Sequence, residues 1–222
     1  MSQIRTNQQG FTLVEIAIVL VIIGLLLGGI LKGQEMITQA KIKNSVADFS
    51  GLSAAYYGYQ DRYRAIPGDD ANAATRWSGA SISATAGEAG NGRIQGLYNS
   101  TTVGDESRLW WDHLRRAGFV AGSGTQQPTN AFTGMIGVET GNGATSGTTT
   151  ALGGFASLII CSANIPDKVA IAMDTQMDDG TIGTGTVRGQ LQTGTNPAIN
   201  TAADTTAYAE NGTNIYTMCR QI

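Results

Sequence analysis

From Phe11 to Leu31 the chain reads FTLVEIAIVLVIIGLLLGGIL, an apolar run whose single ionisable side chain is Glu15. A helix over this stretch rises about 31 Å, enough to cross the hydrocarbon core of a bilayer. The residues before it, MSQIRTNQQG, are polar, carry one cation at Arg5 and end on Gly10. A secretory signal peptide places its small cleavage residue after the apolar stretch. Here Gly10 precedes the run, so a cut at that point leaves the anchor attached. The cations on either side, Arg5 before the run and Lys32, Lys41 and Lys43 beyond it, do not set an orientation by charge.

A carboxylate inside an apolar segment is costly unless it is neutralised or paired, so Glu15 must be met by something. A chain cut after Gly10 gains a positive amine on Phe11, one helical turn away. The same amine on a neighbouring subunit would reach Glu15 in a packed bundle; the alternative is a carboxylate that snorkels to the bilayer edge. Beyond the apolar run, Ile42, Val46, Phe49, Leu52, Tyr56, Tyr59 and Tyr63 recur at spacings of three or four, which continues one apolar stripe along a helix. Pro67 and Gly68 supply its stop, giving a helix from Phe11 to about Tyr63, roughly 80 Å long. Aromatic residues at that spacing are read as core packing.

The string G-F-T-L-V-E at Gly10 to Glu15, followed by the apolar run, resembles the cleavage and methylation signature of type IV prepilins and type II secretion pseudopilins. The resemblance implies that a membrane prepilin peptidase cuts after Gly10 and methylates Phe11, and that Glu15 is the assembly glutamate. It also implies an α+β, ladle-like pilin fold, with a long N-terminal helix packed on a small antiparallel β-sheet in a loop-rich head. Residues 1–10 are then the leader, 11–63 the long helix (11–32 its transmembrane or filament-core part) and 64–222 the extracytoplasmic head. The implied partners are other copies of the chain, the prepilin peptidase, an inner-membrane assembly platform and, before assembly, the membrane. The implied location is the bacterial inner membrane, then an extracellular or periplasmic filament. The expected job is a structural subunit of a type IV pilus-like filament. A secretion pseudopilin in a periplasmic pseudopilus is the alternative, and a minor tip subunit acting as an adhesin or receptor-binding module is one of another class. Many pilins carry a kinking proline midway along this segment and this chain has none. Gly24, Gly28, Gly29 and Gly33 supply either flexibility or, at G-xxx-G spacing, close helix packing.

In the remainder, 14 Lys and Arg against 17 Asp and Glu leave a net charge of -3, so no basic field favours nucleic acid. Thirty glycines and long Thr/Ser/Asn/Ala stretches indicate a loop-rich surface domain. The segment from Arg64 to Gly92 reads as loop with one short helix capped by Asp69 or Asp70, and little rigid structure is expected before residue 104. Asp105 to Ala117 reads as a helix, acidic at its start, basic at its end and stopped by Gly118, with Trp110 and Trp111 as packing residues. Phe132 to Val138, Phe155 to Cys161, Thr186 to Leu191 and Ile215 to Ile222 read as strands of an antiparallel sheet, with a short helix from Pro166 to Met177.

Cys161 and Cys219 are read as a disulfide, two unpaired thiols being the alternative; closing a loop of that size stabilises by about 4 kcal/mol at most. Under the resemblance they bracket a variable surface loop. Asp174, Asp178 and Asp179 concentrate oxygen ligands that could complete a calcium shell with nearby carbonyls, as in some secretion pseudopilins. They lack the D-x-D-x-D-G spacing, so a solvated acidic turn is the competing reading and no cofactor is required. Asp69, Asp70, Asn72 and Asn91 form a weaker candidate. The serine-hydrolase, zinc-protease, C-x-x-C and phosphate-loop motifs do not occur, and His113 is the one histidine, so the chain is not read as an enzyme. Asn99-Ser100-Thr101 and Asn211-Gly212-Thr213 match the N-glycosylation pattern and serve as surface markers.

Overall fold

A computed structural model describes residues 12–81, 89–141 and 151–222. The chain separates into two compact units, residues 1–41 and 42–222. In the first, helix α1 (Leu13–Tyr63) begins. Among the described residues its apolar side chains are left uncovered: Leu13, Leu25 and Leu31 are 90%, 73% and 66% exposed. An 18-residue window here has a mean hydropathy of 2.8 with none of it buried. By length and composition this segment is able to cross a membrane.

In the second unit, α1 from Ile42 onward buries Ile42, Phe49, Ala55, Tyr56 and Tyr59, the stripe that the three-and-four spacing indicates. The elements that follow are α2 (Ala73–Arg76), α3 (Glu106–Arg116), β1 (Ile136–Thr140), β2 (Leu158–Pro166), α4 (Asp167–Met177), β3 (Val187–Leu191) and β4 (Ile215–Gln221). The strands form one four-stranded antiparallel sheet in the order β1-β2-β4-β3. Strand alternation divides its side chains between two faces. Ile136, Val138, Ile160, Val187 and Met218 pack in one cluster with α1, with Trp110, Trp111 and Leu114 of α3 and with Val169 and Met173 of α4. Ile159, Cys161, Ala163 and Cys219 pack on the other face with Tyr98, Leu152 and Phe155.

The strand β2 is apolar on both faces because both are covered. Between Ser162 and Ile165 its register against β4 shifts by one residue, and Asn164 takes a positive φ of 61° there. This bulge returns Ile165 to the α1 side, which strict alternation would have denied it. The disulfide Cys161–Cys219 joins directly paired residues of β2 and β4. It therefore staples the two central strands, with both sulfurs buried.

Two expectations change. Neither Asp69 nor Asp70 caps a helix: α2 starts after Asn72, with no side-chain cap, and both aspartates are buried for other reasons given below. Among the described residues between α1 and residue 104, α2 is the one regular element, yet the segment is anchored. Ile94 and Tyr98 are fully buried, Ile94 N–H donates to Thr140 Oγ1 at 2.7 Å, and Tyr98 N–H donates to Glu139 Oε2 at 2.8 Å. The chain crosses β1 so closely that a Cβ on Gly137 would lie 2.1 Å from the Tyr98 carbonyl oxygen. Glycine is required there by space.

Candidate functional site

Thr12 is the first described residue, and Gly10 and Phe11, the expected processing junction, lie outside the described residues. The Thr12 N–H and Oγ1–H both donate to Glu15 Oε2 at 2.8 Å, and the Glu15 N–H donates back to Thr12 Oγ1 at 3.3 Å. This reciprocal pair is a capping box on α1: a T-x-x-E spacing satisfies donors that the first helical turn would otherwise leave open. Glu15 thus has partners within its own chain. The acidic side chain also sits at the positive end of the helix dipole. Thr12 is the site residue that apolar patterning does not single out, although the T-x-x-E spacing marks it. The apolar surface after it ends at Lys32, whose Nζ pairs with Glu35 at 2.7 Å on an exposed face.

Carboxylate oxygens of Asp174, Asp178 and Asp179 come within 4.8 Å of one another, the chemistry that a hard cation prefers. The turn already uses part of their acceptor capacity. Asp174 accepts from Tyr208 Oη–H at 2.6 Å and Gly180 N–H at 3.1 Å. Asp178 accepts from Val187 N–H at 2.8 Å, and Asp179 from Thr181 N–H at 2.8 Å and Thr184 Oγ1–H at 2.5 Å. Burial raises the Asp174 carboxyl above its usual range, and the charges of Asp179 and Asp178 add to this. The same turn closes the edge of the sheet. The outward N–H groups of β3 at Val187, Gly189 and Leu191 are taken by Asp178 Oδ2, the Ile182 carbonyl and Asp204 Oδ2. An edge strand with its donors occupied is a poor template for pairing with another chain.

The second acidic group is structural. Both oxygens of Asp69 accept backbone N–H groups of residues 90–92. Asp70 is ion-paired with Arg76 and accepts from Tyr59 Oη–H at 2.7 Å and Asn72 N–H at 2.9 Å. Burial alone would raise the Asp70 carboxyl, but the bonds from Arg76, Tyr59 and Asn72 outweigh it and hold it low. His113 is buried in the same region. Its Nδ1 accepts from Gly68 N–H at 2.9 Å and its Nε2 lies 2.8 Å from the Ser81 carbonyl, which fixes a neutral tautomer with the proton on Nε2. Burial lowers its pKa in agreement. Both ring nitrogens are occupied by backbone, so the histidine packs the α1–α3 contact and presents no free base. Of the two glycosylation triplets, Asn99 spends its amide on the Asn196 carbonyl, while Asn211 is exposed.

No curated protein and no solved structure matches the chain. Residues 5–31 match the family model described as the prokaryotic N-terminal methylation motif, which spans the expected junction at Gly10 and Phe11, the capping pair Thr12 and Glu15 and the exposed apolar helix. Pilins are typically structural rather than enzymatic. The N-terminal segment carries the prepilin motif that marks the type IV pilin and type II pseudopilin family.

Proposed function

We propose that the chain is a structural subunit of a type IV pilus-like filament, cut after Gly10 and assembled through the apolar first part of α1. The observation that supports this most is the conjunction of the methylation motif with an apolar helix surface left uncovered by the other described residues. In the bilayer, lipid covers that surface; in a filament, the same segment of other copies does. Cleavage by a prepilin peptidase creates the Phe11 amine. Glu15 starts with Thr12 as its partner and gains the amine of a neighbour when copies pack at an assembly platform, which exchanges a local hydrogen bond for an ion pair of low-dielectric strength. The G-xxx-G spacing of Gly24 to Gly28 and Gly29 to Gly33, where nothing stands within 4 Å of an added Cβ, leaves room for close approach of a second helix.

Glu15→Ala is expected to leave membrane insertion intact and to abolish filaments on electron micrographs; filaments of normal length and abundance would refute the assembly role. A periplasmic secretion pseudopilus uses the same junction and helix, and the acidic turn is the feature that speaks for it. Calcium at Asp174, Asp178 and Asp179 belongs to that reading: it requires a calcium-dependent rise in Tm that Asp178→Asn removes. A Tm indifferent to calcium and chelator assigns the three carboxylates to the turn alone.

A further inference from the structure

Among the described residues, an Asn or Asp precedes Gly at three places: Asn91-Gly92, Asp179-Gly180 and Asn211-Gly212; Asn142-Gly143 lies outside them. Such dipeptides are chemically weak points of a chain in water, because Gly has no Cβ to hinder attack by its own nitrogen. The deprotonated Gly nitrogen attacks the side-chain carbonyl carbon of the preceding residue and closes a five-membered succinimide. Ammonia leaves if that residue is Asn, water if it is Asp. Hydrolysis of either C–N bond of the imide then yields aspartate or isoaspartate.

The three sites lie in unrelated loops yet share one environment. Gly92 N–H donates to Asp69 Oδ2 at 2.7 Å, Gly180 N–H to Asp174 Oδ1 at 3.1 Å and Gly212 N–H to Asp167 Oδ2 at 2.6 Å. All three acceptors are buried. Each glycine has a positive φ, of 84°, 76° and 75° respectively. In each case the preceding Oδ1 is held by the N–H two residues ahead: Asn91 by Arg93 at 2.8 Å, Asp179 by Thr181 at 2.8 Å and Asn211 by Thr213 at 2.9 Å. Asn91, Asp179 and Asn211 are themselves exposed, so exclusion of water does not protect them.

We infer that the buried carboxylates of Asp69, Asp174 and Asp167 are locks that suppress succinimide formation at Asn91, Asp179 and Asn211. To attack, the Gly nitrogen must give up its proton and turn its lone pair toward the preceding side chain. Losing the proton places an amide anion against a carboxylate. Turning the peptide plane breaks a charge-assisted hydrogen bond and strands a buried acceptor. The bond to the residue two ahead holds the side-chain carbonyl in its turn and opposes the same rotation. At Asp179 the Thr184 hydroxyl also favours the ionised carboxylate, the form least able to lose water. Asp174 thereby has a chemical role in the acidic turn that involves no metal.

The test follows isoaspartate at each site by peptide mapping with fragmentation that distinguishes it from aspartate. The full-length chain is kept in detergent in mildly alkaline buffer, either native or unfolded in urea. All three sites are expected to convert at least about tenfold more slowly in the native chain, the factor that a hydrogen bond to a charged group confers. Asp167→Ala, checked by circular dichroism for an intact fold, is expected to accelerate Asn211 by about tenfold and to leave Asn91 and Asp179 unchanged. If that variant does not fold, Asp167→Asn takes its place; it keeps an acceptor without the charge and is expected to give a smaller acceleration confined to Asn211. Equal native and urea rates, or a folded Asp167 variant with no acceleration at Asn211, overturn the inference.

Discussion

The first part of α1 and strand β2 are both predominantly apolar segments of this chain, and they end in opposite circumstances. Ile159, Ile160 and Cys161 are fully buried between two layers of their own chain, whereas Leu13 to Leu31 of α1 stay exposed among the described residues. The same kinds of side chain that hold one region together are exposed in the other, where the proposed function has lipid or other copies cover them. Their carboxylates differ in the same way. Glu15 stands exposed at a helix start with Thr12 as its cap, while Glu139 is buried beside β2 with one backbone donor from Tyr98.

Replacing the same residue type in both regions gives the largest contrast. Ile160→Ala should cost about 2–5 kcal/mol in the unfolding of the 42–222 unit, because it opens a cavity in a closed core. Ile22→Ala should leave that transition where it was, since Ile22 is 51% exposed among the described residues. Equal losses in chemical denaturation would break the comparison.

A smaller effect separates the carboxylates. Burial pushes Glu139 up to about 7, above the ordinary glutamate value of about 4.3. The fold therefore favours its protonated form. The stability this confers is complete below the unfolded pKa and is lost as pH rises through the folded one, a fall of about 4 kcal/mol. Glu139→Gln is expected to raise Tm above pH 7 and to leave it nearly unchanged near pH 4; a gain independent of pH would show that Glu139 is not held protonated.

What could be read in the sequence follows from the range of the forces involved. The long helix, α3, α4 and all four strands announce themselves by periodicity and stop signals within a few residues. Pro166 illustrates it: the residue expected to open α4 also ends β2. Contacts between distant segments were not legible. Asp69 looked like a helix cap because its true partners, the N–H groups of residues 90–92, lie more than twenty residues away. The anchoring of Tyr98 depends on Glu139 and on the missing Cβ of Gly137, and the bulge at Asn164 answers to the pairing with β4. At the candidate site, Glu15 stood out as a charge without local compensation. Thr12 did not, because a threonine beside an apolar run violates nothing.

If the exposed apolar helix becomes the core of a filament after a cut at Gly10, every assembled subunit starts at Phe11. Mass spectrometry of the subunit N-terminus in filaments purified from the producing cells tests it most directly. A chain that begins at methylated Phe11 is expected; assembled filaments of chains that still carry Met1 to Gly10 would overturn the proposed assembly.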